Sequence, residues 1–450
     1  MRTKENQIPL IRNFQPHAGM FVRRNTVITQ QDFLEDLSRL VTAFKKGSPA
    51  SYLVNVCEDR YYFTLVFCAG LVCGFTNLLP QDRQPETIRK LSETYMPLIT
   101  IADCPCEMSQ ENHCVADLLQ AVESGEKCMP LVAESHLAAI AFTSGSTGAP
   151  QPNTKYWKML CGTTEKLAQR LMSNLGARPT IVATVPSQHM YGLEMTVMMA
   201  LQGDCVIHTE KPFFPDDIVE TINALPGTTV LVTTPAHLRV LLASGLQLPH
   251  VARIVSATAP LSRAIACDAE LKMQTTLEEL YGCTEAGATA TRRTTQDDDW
   301  HLLEGMRFFQ TMTNGGDETQ VHGDHLPEAA CLQDILKLES ETRFKLVGRS
   351  GDMINVGGKR ASLANLNQLL LAIDGIEDGV VYFSASGERD GALRPAAFVV
   401  TSLPEQEVLK AMAKSMDPVF LPRPLIKVEK IPRNETGKII REQLLAMQKN

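Results

Sequence analysis

A run of glycines and hydroxyls, Phe142-Thr143-Ser144-Gly145-Ser146-Thr147-Gly148-Ala149-Pro150, follows the apolar stretch Leu137-Ala138-Ala139-Ile140-Ala141. Gly145 and Gly148 let the backbone turn tightly with its N–H groups outward. Thr143, Ser144, Ser146 and Thr147 add hydroxyl donors, so the composition suits a polyphosphate. It is not a Walker A loop, because its glycines are three apart and no lysine follows the second. Read alone, it serves equally well as a Ser/Gly surface linker.

Three further stretches carry groups that complement a nucleotide. Tyr281-Gly282-Cys283-Thr284-Glu285 offers a ring that can lie against a base, a hydroxyl that can donate to phosphate and a carboxylate suited to magnesium. Asp334, fifteen positions before Arg349, can accept from both hydroxyls of a ribose, while Arg349 and Arg360 suit sugar oxygens and phosphate. Pro432-Arg433-Asn434-Glu435-Thr436-Gly437-Lys438 is a polar turn ending on a lysine. Singly, each of these reads as solvated surface charge or a helix-capping turn.

The elements that must position these groups follow from periodicity. Apolar, β-branched runs predict strands at 51–56, 98–102, 180–185, 205–208, 229–233 and 253–257, with helices at 155–175, 192–201, 215–225 and 235–244 between them. Such alternation predicts an α/β fold with a largely parallel sheet, in which ligands sit beyond the carboxyl ends of the strands. Phe33, Leu34, Leu37, Leu40, Val41 and Phe44 recur at helical spacing and predict a helix over 30–46, preceded by a polar tail to about residue 24. A helical stretch is expected at 266–280 and surface hairpins at 292–323. A compact α+β unit then has helices at 363–373 and 405–415 and strands at 379–384 and 396–400. The expected division is a large domain of layered, parallel-rich sheets over 1–348 and a small one over 349–450, with a hinge at 349–352.

Composition bounds the partners. A net charge of −8 excludes nucleic-acid binding through a generally basic surface. The apolar run 62–80 is interrupted by two glycines, two threonines and an asparagine, and reads as a buried helix rather than a membrane span. With no signal-peptide pattern at the start, the twelve cysteines read as reduced thiols of a cytoplasmic protein. The Cys104-Pro105-Cys106 and His113-Cys114 cluster has unusual zinc spacing and reads as a plain loop, so no metal is assigned there.

Together, in this order and at these spacings, the four stretches resemble the adenylate-forming superfamily of acyl-CoA synthetases, aryl-CoA ligases, luciferases and peptide-synthetase adenylation domains, over about 25–438. The resemblance implies a large N-terminal and a small mobile C-terminal domain with the active site between them. It implies that Thr143, Ser144, Gly145, Ser146, Thr147 and Gly148 hold the phosphates of ATP, that Tyr281 packs on adenine, and that Thr284 and Glu285 serve catalysis, Glu285 by holding Mg2+. It further implies that Asp334 and Arg349 bind ribose, that Arg360 lies near phosphate, and that Lys438 is the catalytic lysine of adenylation.

Three departures stand out. Gln151-Pro152 replaces the usual lysine and glycine after the phosphate loop, leaving Lys155 or Lys158 to compensate; Gly351-Asp352 occupies the hinge; and 361–367 lacks the family's glutamate.

By the same resemblance, the acid pocket is built from the stretch containing His189 and Tyr191, with His237 and Ala259 from 234–237 and 256–260. Ordinary packing is the plain alternative for both histidines. No aspartate lies between His189 and Leu193 to pair with a substrate amine, although Glu194 is adjacent, so an aryl or short acyl acid is expected rather than an amino acid. The wording also resembles small bacterial ligases of aryl polyene and fatty-acid-like pathways, which implies a hydroxybenzoate-like acid passed to the phosphopantetheine thiol of an acyl carrier protein. From Asp417 to Arg441, six basic residues face three acidic ones, a local surface suited to an acidic carrier or to CoA. CoA as sole acceptor, and a degenerate nucleotide-binding protein without turnover, are the alternatives.

Overall fold

The computed structural model describes residues 5–47, 49–103, 112–121, 128–144, 150–176, 178–313, 316–349, 353–356, 359–383, 395–433, 439 and 441–447. Two sheets carry most of the chain. The smaller runs, in spatial order, Pro150–Tyr156, Leu137–Ser144, Thr76–Leu79, Tyr52–Asn55, Leu98–Ala102 and Asn112–Cys114, and only its first pair is antiparallel. The larger has eleven strands. Its parallel centre is Thr276–Cys283, Arg253–Ser256, Thr229–Thr233, Thr180–Ala183, Val206–His208 and Gly19–Arg23, flanked by antiparallel strands on both sides. The α/β class expected from alternating patterns is therefore what forms. From Thr180–Ala183 the chain goes to one neighbour, Val206–His208, and then back to the other, Thr229–Thr233. The carboxyl end of this strand is thus a topological switch point, where such sheets open a crevice.

The helix Gln30–Lys46 matches its periodicity and starts on a capping box: the Thr29 hydroxyl accepts from Asp32 N at 3.1 Å, and the Asp32 carboxylate accepts from Thr29 N at 2.9 Å. Four expectations are corrected. The opening segment is no polar tail, because Gln7–Pro9 pairs with Leu131–Ala133, Gly19–Arg23 joins the large sheet, and Leu10, Met20 and Phe21 are fully buried. The run 62–80 is the helix Arg60–Cys73 followed by the strand Thr76–Leu79, broken by Gly74 at a φ of 80°, which a glycine adopts without strain. The helix expected from 155 begins only at Trp157, after a return strand. The stretch 266–280 splits into the helix Arg263–Lys272 and the strand Thr276–Cys283, whose buried Leu277, Glu279 and Tyr281 alternate as a strand requires. Beyond 353, a three-stranded sheet of Ile376–Phe383, Pro395–Thr401 and Leu425–Lys427 and the helices Leu363–Leu371 and Glu405–Met412 enclose a core that includes Leu370, Val399, Met412 and Phe420.

One buried cation joins the two large sheets. Arg60, at the start of the Arg60–Cys73 helix, is 1% exposed; its guanidinium donates to Ala183 O and Val185 O, each at 2.7 Å, and to Glu210 O. Burial lowers its pKa to about 10, so it stays charged at neutral pH. Arg60→Met would leave three carbonyls without this donor, and a loss of about 3 kcal/mol in unfolding free energy is expected by urea titration.

Candidate active site

Tyr191 and His237 lie where parallel strands of the large sheet end, Tyr281 near the end of Thr276–Cys283, and Thr143 and Ser144 at the end of a strand of the smaller sheet. Thr143 and Ser144 close the strand Leu137–Ser144, with Thr143 opposite Gln151 and Ser144 opposite Pro150 on the antiparallel return strand Pro150–Tyr156. The glycine loop therefore joins two antiparallel strands instead of leading into a helix; Gly145, Ser146, Thr147 and Gly148 themselves lie outside the described residues.

On the Pro150–Tyr156 strand, Gln151 and Lys155 share a face. Gln151 is exposed, while Lys155 is buried, with Nζ donating to Glu285 O at 3.2 Å. Burial lowers the Lys155 pKa against the opposing pull of Cys283, Glu194 and Glu285. This contact ties the phosphate-loop strand to the Tyr281–Glu285 segment. Lys158, the other expected substitute, instead sits 3.5 Å from Glu134 and lines a separate cavity of about 330 Å³ with Arg12 and His325.

Tyr281 is buried on its strand, its ring against Trp300 and Phe344 at centroid distances of 5.6 and 5.4 Å. Its hydroxyl donates to Asp334 Oδ2 at 2.7 Å. Asp334 in turn faces Arg349 in the register of the antiparallel strands Asp334–Leu338 and Arg343–Arg349. Residues separated by fifty-three and fifteen positions are thus adjacent. Gly282 is required at the bulge beyond Tyr281, since a Cβ there would lie 2.4 Å from Gly287 O. Thr284 is half-buried and Glu285 exposed. Burial pushes the neighbouring Cys283 thiol up to about 12, which makes it a poor nucleophile. Arg360 lies on the strand Lys359–Ser362, paired with Met353–Val356, but its side chain is outside the described residues, as is Lys438 altogether.

A second group lines the switch point. Tyr191 places its hydroxyl 2.8 Å from Val255 O and 3.2 Å from Thr233 O, bridging two strand ends. His237 Nδ1 lies 3.0 Å from the hydroxyl of Thr234, the N-cap of its helix, and 3.4 Å from that of Thr184. Its ring meets Phe213 edge-on at 5.2 Å, and burial lowers its pKa, which keeps it neutral. His189 is half-buried at the entrance to Met190–Gly192. Gly192 permits this tight turn, because a Cβ there would approach Pro186 O to 1.9 Å. Ala259 is half-buried beside Thr258, which holds a φ of 79°, a strained conformation for a β-branched residue. The segment is pinned from below by Leu261 N donating to Glu279 Oε1 at 3.1 Å.

Sequence reasoning underrated Glu194. It begins the second residue of a π-helical turn, Leu193–Met198, a local irregularity common at functional sites. Its carboxyl is buried, accepts from Ala288 N at 3.2 Å and lies under Gly287. Burial pushes its pKa up to about 7, opposed by the Ala288 N–H and by Lys155. An acidic residue just after a glycine turn was the available signal.

A family model described as AMP-binding enzyme matches residues 49–312. The chain is 28% identical over 343 residues to 4-coumarate–CoA ligase of Halorhodospira halophila, covering 72% of this chain and 81% of that protein. It is 24% identical over 349 residues to 3,4-dihydroxybenzoate–[aryl-carrier protein] ligase of Bacillus anthracis, covering 75% and 81%. O-succinylbenzoate coenzyme A synthetase from Bacillus subtilis, solved with ATP and magnesium, superposes with a TM-score of 0.82 at 16% identity, covering 98% of this chain and 100% of that one.

Two variants test the site's internal energetics. The raised Glu194 pKa means that the folded protein holds a proton the unfolded chain releases above about 4.5, so this contribution is full below that pH and is lost as pH rises through about 7. Glu194→Gln keeps an acceptor for Ala288 N–H and removes the titration; its thermal midpoint should fall less between pH 5 and pH 8 than that of the parent, by scanning fluorimetry. Thr258→Gly relieves the positive φ and should raise unfolding free energy by about 1 kcal/mol in urea titration, while loosening the Ala259 segment.

Proposed function

From the premise that this chain belongs to the AMP-binding enzyme family, we propose that it adenylates an aryl or short acyl carboxylic acid with ATP and passes the acyl group to a thiol. The observation that carries the reading is the meeting of Tyr281, Asp334 and Glu285 beside the phosphate-loop strand, through the Tyr281–Asp334 and Lys155–Glu285 bonds. In the first step a carboxylate oxygen attacks the α-phosphorus, an acyl–phosphate bond forms, and pyrophosphate leaves. Two anions approach, so catalysis rests on positioning and neutralisation. Tyr281 and its aromatic neighbours support adenine, Asp334 and Arg349 take the ribose hydroxyls, and the loop N–H groups and hydroxyls hold the phosphates. Lys438 stabilises charge on the transferring phosphoryl oxygens, and the small C-terminal domain, hinged near 349–352, brings it there.

Magnesium fits the donors. Among the described residues no group of three or more His, Cys, Asp or Glu could cage an ion, whereas exposed Glu285 offers the single carboxylate that suits magnesium shared with substrate phosphates. When bound, the ion neutralises phosphate charge.

The pocket chemistry favours an aryl acid. His237 is neutral, Phe213 packs on it, the Tyr191 hydroxyl is engaged by backbone carbonyls, and the buried Glu194 carboxyl lies under Gly287 and bonds Ala288 N. Nothing in that set pairs with a substrate ammonium, and a hydroxybenzoate-like ring suits it. The acceptor is the phosphopantetheine of an acyl carrier protein, as in aryl polyene assembly, with CoA as the second reading. The relatives include both kinds of ligase. Of the basic residues counted from Asp417 to Arg441, Arg423, Lys427 and Lys430 are exposed, whereas Arg433 pairs with Asp378.

The test is exchange of labelled pyrophosphate into ATP across a panel of aryl and acyl acids. An acid-dependent signal is expected, and Lys438→Ala should lower it by about a hundredfold or more with ATP binding retained. No exchange with any acid would leave the degenerate nucleotide-binding reading in its place. Mass analysis of products with CoA and with holo carrier protein then identifies the acceptor.

A further inference from the structure

Glu285 is carried on a three-residue turn, 284–286, that joins the antiparallel strands Thr276–Cys283 and Gly287–Arg292. Turns of this length are ordinarily solvated and yield easily. This one is held at three points: Lys155 Nζ donates to Glu285 O at 3.2 Å, Cys283 Sγ accepts from Ala286 N at 3.4 Å, and the Glu194 carboxyl accepts from Ala288 N at 3.2 Å. Gly287, between the last two, holds a φ of 73°. A Cβ there would lie 2.4 Å from Glu194 Oε1, so only a glycine lets the carboxyl come this close to the backbone.

The two ionisable members of this grip come from different parts of the site. Lys155 stands on the return strand of the phosphate loop, 130 positions from Glu285, whereas Glu194 follows the acid-pocket segment Met190–Gly192 and is 94 positions from Ala288. Both are almost fully buried, at 1% and 3% exposure. Burial lowers the Lys155 pKa with Glu194 among the groups opposing it, and burial raises that of Glu194 with Lys155 opposing, so each lies in the other's field. Taking two such groups out of water is unfavourable, and a methionine or leucine of similar volume would fill either place more readily. What an apolar side chain cannot do is hold a backbone carbonyl or a backbone N–H in place. Both desolvation penalties are thus borne at one short turn, whose exposed member is Glu285.

We infer that Lys155 and Glu194 are positioning residues for the Glu285 carboxylate: by gripping its turn at the Glu285 carbonyl and the Ala288 N–H, they tie it at once to the phosphate-loop strand and to the acid-pocket segment. The inference rests on the proposed role of Glu285 at the magnesium-bound phosphates. Both residues act through the turn rather than on the substrate. A loosened turn leaves the carboxylate present but misplaced, so adenylation slows and needs more magnesium. Capture of a ready-made acyl-adenylate by the thiol, from which pyrophosphate has already left, is unaffected.

The full-length protein is assayed by acid-dependent pyrophosphate exchange over a magnesium titration, and by transfer from a synthetic acyl-adenylate to CoA or holo acyl carrier protein, whichever the parent uses. Lys155→Met, which keeps the apolar stem, should lower the exchange kcat by about tenfold or more and raise the magnesium concentration for half-maximal exchange. Glu194→Leu should act in the same direction, and Glu194→Gln, which retains an acceptor for Ala288 N–H, should recover most of that loss. In a Glu285→Gln background, Lys155→Met should slow exchange by less than about twofold further, because the carboxylate it positions is gone. Transfer from the acyl-adenylate should stay within about twofold of the parent in each single variant. Parent-like exchange in Lys155→Met and Glu194→Leu, an equal fall in both steps, or fully multiplicative losses in the double variant overturns the inference while leaving the adenylation reading standing. Equal exchange in Glu194→Leu and Glu194→Gln overturns it too, and this pair decides the matter where Lys155→Met fails to fold. Absence of exchange in the parent with every acid overturns both.

Discussion

Arg60 is buried where the two sheets meet, beside the crevice that the strand order opens. A guanidinium without water is costly, and it is tolerated here because three backbone carbonyls at strand ends accept its protons. Two of those carbonyls, Ala183 and Val185, bound Thr184, whose hydroxyl meets Thr233 and His237. Val185 opens the segment that runs through Gln188 to Tyr191. Gln188 is held separately by Arg83, which also donates to Cys57 O. The helix Arg60–Cys73 belongs to the small sheet by packing and to the large sheet by this one side chain. The two layers therefore meet at a fixed angle at the place where a ligand would enter.

From that constraint the rest of the site follows by register. Once the strand Thr276–Cys283 is parallel to Arg253–Ser256 and antiparallel to Gly287–Arg292, Tyr281 points to the face where Trp300 and Phe344 pack. The strand carrying Asp334 is then three antiparallel neighbours beyond Gly287–Arg292, and its first residue comes within hydrogen-bond reach of the Tyr281 hydroxyl. A slip of one residue in any of these pairs would turn Tyr281 or Asp334 to the opposite face. The bulge between Tyr281 and Gly282 and the close approach of Gly282 to Gly287 O fix that register locally.

Much of this was legible in the residues. The strands Leu98–Ala102 and Thr229–Thr233 and the helix Gln30–Lys46 follow from periodicity to the residue, because each is a continuous apolar or amphipathic pattern. The first two dozen residues were misread because their strands are short and pair with partners far along the chain, which local pattern cannot reveal. The stretch 266–280 was misread because Ala266, Ala269, Met273 and Leu277 satisfy helical spacing while Leu277, Glu279 and Tyr281 satisfy alternation, and the tertiary sheet decides between them. The motif residues were legible as types. That Lys155 would turn inward to Glu285 O, and that the Glu194 carboxyl would be buried under Gly287 with a raised pKa, depended on which face of a strand and of a π-helical turn became buried.

The described cations near the crevice are largely engaged by groups of the protein itself. Lys155 is drawn onto a backbone carbonyl in a buried environment that lowers its pKa, and Arg60 is taken up by three carbonyls. Arg239 and Arg433 are committed to Asp378. These cations organise the walls, while the exposed Gln151 stands on the phosphate-loop strand. On the proposed reading, a nucleotide beside this strand would be held through directional hydrogen bonds and the ion that accompanies its phosphates. Such contacts discriminate by geometry more than by net charge.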